Sequence, residues 1–191
     1  MSIAVLFADG FEEIEGIAIV DTLRRAEFDV LMAAVEDDNS VTGAHDITIA
    51  TDTILADLDP RELDAVVLPG GLPGAQNLHD NDAVIKLLQE MADDGKITAA
   101  LCAAPICLEK AGLLEDRKFT CYPGFEKACS SGHYTAARTE TDELIVTGRG
   151  PGAAIEFALA IIKALGEPDV DRDDRTRPSR DARAGPVHSR W

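Results

Sequence analysis

The sequence is short of positive charge. Its 191 residues include 18 lysines and arginines against 35 aspartates and glutamates, so the formal net charge is −17. Such a surface repels nucleic-acid phosphate and anionic lipid, which argues against direct nucleic-acid binding and against a membrane partner. The acid excess has two interpretations: simple solubility, or adaptation to high salt, where screening removes the self-repulsion. We favour the second, a halophilic source.

Long apolar runs and paired cysteines are also missing. No run approaches the length that spans a bilayer, and the N-terminus enters an apolar run without a basic leader, so no signal peptide is expected. The cysteines include no CxxC pair and no zinc-like spacing with histidine; they are Cys102, Cys107, Cys121 and Cys129. We therefore expect a reduced, cytoplasmic protein with no metal or cofactor.

Short apolar runs alternate with helical patterns along most of the chain. This order predicts an α/β fold, a three-layer α/β/α sandwich with a mostly parallel sheet. Ile14 and Ile17 fall outside the apolar stripe of the first helix, which suggests that its first turns are buried on more than one side. Strands are predicted at 2–8, 28–35, 65–68, 97–101, 118–122 and 143–147, a hairpin or edge strand at 41–51, and helices at 12–27, 82–94, 103–111 and 151–165.

The last 25 residues differ from the rest in composition. They hold six of the twelve arginines, six acidic residues and three prolines, with few apolar side chains. This composition predicts a folded domain over 1–166 and a disordered, charged tail over 167–191. The alternative is a tail whose arginines fold back on the acidic body.

Three turns follow predicted strands, at 9–15, 69–74 and 102–105, and parallel sheets gather reactive groups beyond such strand ends. Cys102 ends one strand and directly precedes a predicted helix, with small neighbours that permit the sharp turn of a nucleophile elbow. The free N–H groups of a helix start favour thiolate, so Cys102 is a candidate reactive thiol. A buried, inert cysteine is the alternative. Cys107, inside the helix, is assigned to the core.

The other two turns supply partners for a thiol. Gly70 and Gly71 let backbone amides approach a ligand, and the amides of Gly71 and Ala103 together suggest an oxyanion hole. The turn at 9–15 carries several carboxylates, of which Glu12 and Glu15 share one helix face. One carboxylate is expected to reach the thiol, and such a pair titrates as a unit.

Six stretches of sequence resemble the ThiJ/PfpI superfamily, specifically the branch that contains the parkinsonism-associated protein deglycase. They are FADGFEEIE at 7–15, DTLRRAEFDV at 21–30, LPGGLPGAQNL at 68–78, ALCAAP at 100–105, SGHYT at 131–135 and RGPGAAIEFALAIIKAL at 149–165. The resemblance covers nearly the whole chain apart from the tail. It implies a flavodoxin-like sandwich of the class I glutamine amidotransferase type and a homodimer.

The resemblance also implies roles and an activity. Cys102 matches the nucleophilic, oxidation-sensing cysteine, Glu15 the protonated acid that hydrogen-bonds it, and Gly71 with the Ala103 amide the oxyanion or substrate pocket. The implied activity is of the glyoxalase or deglycase type, on methylglyoxal or glyoxal and their early adducts with protein or nucleotide groups. The alternative is a non-enzymatic oxidative-stress sensor or redox chaperone through oxidation of Cys102. A hydrolase and a role in thiamine biosynthesis rest only on analogy and on an inherited name.

Two departures from the family pattern concern catalysis. Many relatives have a histidine where this chain has Tyr122, and a phenol is a poor general base near neutral pH. Glu15 would then carry most of the proton transfer, with Tyr122 and His133 as auxiliary candidates. For His133 we favour a structural role. The protease branch has a histidine directly after the nucleophile, where this chain has Ala103, which argues against a peptidase.

A third departure concerns an anion site that relatives form at the dimer interface with two arginines. Arg25 matches one of them, and His45 replaces the other. The resemblance therefore implies a weaker, pH-dependent anion site at this place.

Overall fold

The fold is built around strands that are apolar on both faces. In the computed structural model, which describes residues 1–166, β1 (Ser2–Phe7) is buried along its whole length. The other strands are β2 (Asp29–Ala34), β3 (Ser40–Thr42), β4 (Thr48–Ala50), β5 (Thr53–Ile54), β6 (Ala65–Leu68), β7 (Ile97–Leu101), β8 (Lys118–Phe119), β9 (His133–Tyr134), β10 (Thr139–Asp142) and β11 (Ile145–Gly148). The tail predicted at 167–191 lies outside the described residues.

Seven of these strands form one sheet in the order β10-β11-β7-β6-β1-β2-β5. Every neighbouring pair is parallel except β10 with β11. Val5, Val67, Ala99 and Val146 lie side by side on four adjacent strands, so the carboxyl ends of these strands meet at one edge. The predicted hairpin is present as β3 and β4, which pair with each other outside this sheet.

Helices cover both faces of the sheet. They are α1 (Glu13–Arg25), α2 (Gly74–Asp80), α3 (Asp82–Asp93), α4 (Pro105–Lys110) and α5 (Ala154–Leu165). The alternating side chains of β1 divide between two cores: Val5 and Phe7 pack with α1 and α5, whereas Leu6 packs with α2, α3 and α4. Each fully buried side chain of this size stabilises the fold by about 1.5–3 kcal/mol. The predicted three-layer sandwich is confirmed.

Several predicted bounds need correction. The helix predicted from residue 103 begins at Pro105, because Cys102 to Ala104 form the turn that reverses the chain. Helix α2 and strand β10 were not predicted, since both are largely polar and carry little hydrophobic periodicity.

The first turns of α1 are also less buried than predicted. Ile14 is 63% exposed and Ile17 is 44% exposed, so these side chains form an outward-facing apolar surface. Within the described residues, no helix combines the length and apolarity that crossing a membrane requires.

Candidate active site

The three predicted turns meet at the carboxyl edge of the sheet. The Glu12 amide donates a hydrogen bond to the Gly70 carbonyl (2.9 Å), and the Gly74 amide donates to the Gly10 carbonyl (3.0 Å). Gly71 has a φ of +97°, and a Cβ there would lie 2.3 Å from the Glu12 nitrogen. This contact therefore requires glycine, which is why the first two turns can lie against each other.

Cys102 stands on a sharp elbow between β7 and α4. Its φ is +64°, a conformation that few residues other than glycine adopt without cost. The backbone holds it from both sides: the Cys102 amide donates to the Gly148 carbonyl (2.8 Å), and the Cys102 carbonyl accepts from the Tyr122 amide (2.8 Å). The residue is 8% exposed, so it is largely buried but still reachable from solvent. Cys107 is fully buried, as predicted.

Glu15 lies beside this thiol in the first turn of α1. Its carboxyl is fully buried, and Oε2 accepts a hydrogen bond from the Gly70 amide (2.8 Å). No donor satisfies the other oxygen, Oε1, by standard hydrogen-bond geometry. Burial raises the pKa of Glu15 to about 7, although the Cys102 thiol and the Gly70 amide both pull that pKa down. Glu15 is therefore poised to exchange a proton near neutral pH.

The thiol pKa moves opposite to the sequence-based expectation. Burial raises the pKa of Cys102, and the negative charge of Glu15 raises it further, while hydrogen bonds from the Gly71 and Ala103 amides lower it. The upward contributions are the larger ones. Since both groups are buried together, the pair carries at most one negative charge near neutral pH. A thiolate at Cys102 therefore requires that Glu15 hold the proton.

The amides of Gly70 and Gly71, in the second turn, have different partners. The Gly71 and Ala103 amides lie near the Cys102 thiol and lower its pKa, so both are candidate donors to an oxyanion formed beside the sulfur. Gly70 was predicted to face substrate as well, but its amide is occupied by Glu15. A Cβ on Gly70 would lie 2.5 Å from the Cys102 Cβ, so this position admits only glycine.

The two auxiliary candidates lie in different places. Tyr122 sits next to Cys102, with 47% of its surface exposed. His133 is exposed on β9, where its amide donates to the Arg117 carbonyl (2.7 Å), and no hydrogen bond among residues 1–166 joins it to Cys102 or Glu15. Only Tyr122 is in a position to influence the thiol.

A fourth strand end joins the site, which sequence reasoning did not single out. Gly148 ends β11 and accepts from the Cys102 amide, and a Cβ on the nearby Gly150 would lie 4.0 Å from the Cys102 sulfur. The available signal was the glycine-proline turn that directly follows this strand.

Each residue of the predicted interface anion site has an acidic partner within this chain. Arg25 is paired with Asp21 (2.9 Å), and the His45 Nδ1 lies 2.8 Å from the buried Glu13 carboxylate. The hydrogen bond with Glu13 raises the pKa of His45. His45 is also grouped with Glu12 and Glu13 so that one ligand atom of each lies within 4.8 Å of the others. Within residues 1–166, this is the group of side chains that could hold a metal ion, but the Glu13–His45 bond already occupies two of the three.

Comparisons with known proteins agree on one family. The model of the DJ-1/PfpI family matches residues 1–164. The chain is 39% identical over 160 residues to the protein DJ-1 homolog B of Arabidopsis thaliana, covering 83% of this chain but 36% of the plant protein. It is 30% identical over 167 residues to a protein named deglycase from Pyrococcus abyssi, covering 86% of this chain and 99% of that protein.

A solved structure gives the same result. The crystal structure of Drosophila melanogaster DJ-1beta superposes with a TM-score of 0.83 at 36% identity, covering 87% of this chain and 91% of that one. The chain thus spans nearly all of this relative and of the archaeal one, but little more than a third of the first plant relative.

Proposed function

This chain belongs to the DJ-1/PfpI family, and from that premise we propose a cofactor-independent glyoxalase or deglycase. Its substrates are methylglyoxal or glyoxal and their early adducts with protein or nucleotide groups. One observation carries the proposal: a buried carboxyl with a pKa of about 7 and two backbone amides lie beside the Cys102 thiol. The archaeal relative named deglycase supports the reaction class.

The first step is addition of the thiolate to the aldehyde. The Cys102 sulfur forms a bond to the aldehyde carbon, and the C=O π electrons move to oxygen. The Gly71 and Ala103 amides, which lie beside the thiol, donate hydrogen bonds to this oxyanion. Glu15, protonated when Cys102 is ionised, then gives its proton to the oxygen, and a hemithioacetal results.

The second step moves a proton between neighbouring carbons. The Glu15 carboxylate removes the proton from the former aldehyde carbon, which gives an enediol, and returns it to the adjacent carbon. The hydroxyl proton moves from the first oxygen to the second, so the hemithioacetal becomes a 2-hydroxyacyl thioester. Water cleaves this thioester, releasing lactate from methylglyoxal and restoring the thiol. A carboxyl with a pKa near the working pH suits both directions of transfer.

The test is lactate formation from methylglyoxal by Cys102→Ala. Because the thiol forms the covalent intermediate, the variant is expected to lose at least about a thousandfold in kcat. Cys107→Ala is the matched control: it removes a buried thiol on the far side of the elbow, and turnover is expected to persist. Full turnover by a folded Cys102→Ala protein would contradict the mechanism.

A redox sensor or chaperone is the second candidate. It is favoured by Tyr122, which puts a phenol where relatives carry an imidazole base. Two equivalents of peroxide would convert the Cys102 thiolate to sulfinate and release two waters, with the same amides and protonated Glu15 as donors. Intact mass after mild peroxide, read beside dicarbonyl turnover, separates the candidates. A stable gain of two oxygens without any turnover would select the sensor.

We also propose a homodimer in the cytoplasm. Helices α1 and α5 pack side by side and leave Ile14, Ile17, Ile155 and Leu159 between 44% and 63% exposed. Apolar side chains on adjacent helices form the kind of surface that a second copy covers. Light scattering is expected to give twice the chain mass, and Ile17→Glu is expected to give the monomer.

A further inference from the structure

A cavity of about 520 Å³ lies close to Cys102, because two residues that line it, Tyr122 and Gly150, are neighbours of Cys102. Its walls are the turns at 122–123 and 149–153, together with Arg138. Gly150 connects the cavity to the thiol, since a Cβ there would be 4.0 Å from the Cys102 sulfur and 3.2 Å from the Tyr122 ring. Because Gly150 has no side chain, a substrate bonded to Cys102 can extend into this space.

Two arginines line the cavity, and they differ in what they contact. The Arg138 guanidinium is committed to Glu156 (2.6 Å) and to the Gly152 carbonyl. Arg149 is exposed, and its Nη1 donates a hydrogen bond to the Ala136 carbonyl (3.2 Å). Among residues 1–166, no carboxylate lies within ion-pair distance of Arg149.

Within the described part of the chain, Arg149 differs from the other arginines in having no ion-pair partner. Of the six arginines among residues 1–166, the five other than Arg149 each form an ion pair with a carboxylate. A guanidinium binds carboxylate or phosphate through directed, charge-assisted hydrogen bonds. Arg149 is therefore the group in this cavity that has positive charge and donors left for a ligand.

We propose that the substrate held at Cys102 carries an anionic group, a carboxylate or phosphate, which Arg149 binds in this cavity. The choice of a carbonyl substrate rests on the proposed function. Arg149 then determines specificity: it holds the far end of an α-oxoaldehyde while the thiol attacks the near end. Methylglyoxal, which is neutral and short, would fill only the inner part of the site.

The first test compares two α-oxoaldehydes of equal length. In 4,5-dioxovalerate a carboxylate stands where 2-oxopentanal has a methyl group, and the addition of water gives 2-hydroxyglutarate and 2-hydroxypentanoate respectively. At fixed molar salt, kcat/KM is expected to favour 4,5-dioxovalerate by about tenfold. Arg149→Met is expected to remove this preference. Arg61→Met, which removes an equally charged, exposed side chain outside the cavity, is expected to retain it.

The second test does not depend on turnover. Iodoacetate and iodoacetamide are similar in size. The Cys102 thiolate attacks the CH₂ carbon of either reagent, forming a C–S bond and displacing iodide. Arg149→Met is expected to slow alkylation by iodoacetate about fivefold more than alkylation by iodoacetamide, since only the former is attracted by the arginine. Intact mass gives both rates, and Cys102→Ser identifies the modified residue.

The outcomes separate this inference from the proposed function. Loss of the anion preference in both tests with Arg149→Met supports it. Equal effects of Arg149→Met on the charged and neutral reagents overturn it, whatever the turnover. If neither oxoaldehyde is converted while the alkylation rates still diverge, the proposed reaction fails and the anion-binding role of Arg149 stands.

Discussion

Replacing Glu15 by glutamine is expected to change how the stability of the protein depends on pH. The carboxyl is buried, and its pKa rises from 4.5 to about 7 in the folded chain. Folding therefore favours the protonated form. Its contribution is fully present below pH 4.5, where the unfolded chain also holds the proton, and it is lost as pH rises through about 7.

The magnitude follows from this shift. Each pKa unit corresponds to about 1.4 kcal/mol, so ionisation of Glu15 costs the folded state about 3 kcal/mol across this interval. In Glu15→Gln the side-chain amide oxygen would accept the same hydrogen bond from the Gly70 amide, and the side chain carries no titrating proton. The free energy of unfolding of the wild type should therefore fall by about 3 kcal/mol relative to Glu15→Gln between about pH 4.5 and pH 7.

Urea unfolding at several pH values measures this difference directly, at one fixed molar salt concentration. Measurements stop near neutral pH, because the Cys102 thiol begins to titrate in the unfolded chain above it. Glu115→Gln is the control: it removes an exposed carboxylate, and its curve should parallel the wild type. If the Glu15→Gln curve also runs parallel to the wild type, the buried carboxyl is not protonated on folding and the proton assignment at Cys102 is wrong.

Two further predictions concern catalysis and salt. Tyr122→His restores an imidazole beside Cys102 and is expected to raise kcat for lactate formation by at least about tenfold; an unchanged rate in a folded variant would show that Glu15 alone suffices. The melting temperature is expected to be higher in molar KCl than in low salt by about 3 °C or more, because screening weakens repulsion among the excess acidic groups. Equal melting temperatures would remove the halophilic interpretation.

Much of the fold could be predicted because it depends on local apolar patterns. Strands β1, β6 and β7 are continuous apolar runs, and buried parallel strands require such runs. Helix α2 packs on α3 and α4, and strand β10 pairs with β11, so both are held by tertiary contacts while their own polar residues carry little signal. The exposed Ile14 and Ile17 show the same limit, since the sequence cannot state which apolar side chains remain outside the core of one chain.

In the candidate site too, features set by local sequence could be predicted and features set by the fold could not. Cys102 was recognisable from its place between a strand and a helix, and the glycines from the turn that precedes α2. The raised pKa of the Cys102 thiol was not recognisable, because the sequence at the helix start shows only the amides that lower this pKa. Burial and the charge of Glu15 come from another part of the chain, and they outweigh those amides. The role proposed for Arg149 could not be predicted either, since its lack of a carboxylate partner among residues 1–166 is a property of the folded surface.

The proton shared by Glu15 and Cys102 links the two candidate functions. Addition to an aldehyde and oxidation by peroxide both begin from the thiolate, which forms only when Glu15 takes the proton. A change at Glu15 therefore alters both chemistries and cannot distinguish them. Arg149 borders the cavity proposed to hold the far end of a carbonyl substrate, while peroxide needs only the thiol and its amides. Arg149→Met should therefore lower turnover of an anionic oxoaldehyde and leave the rate of sulfinate formation nearly constant, so this substitution can distinguish the two functions.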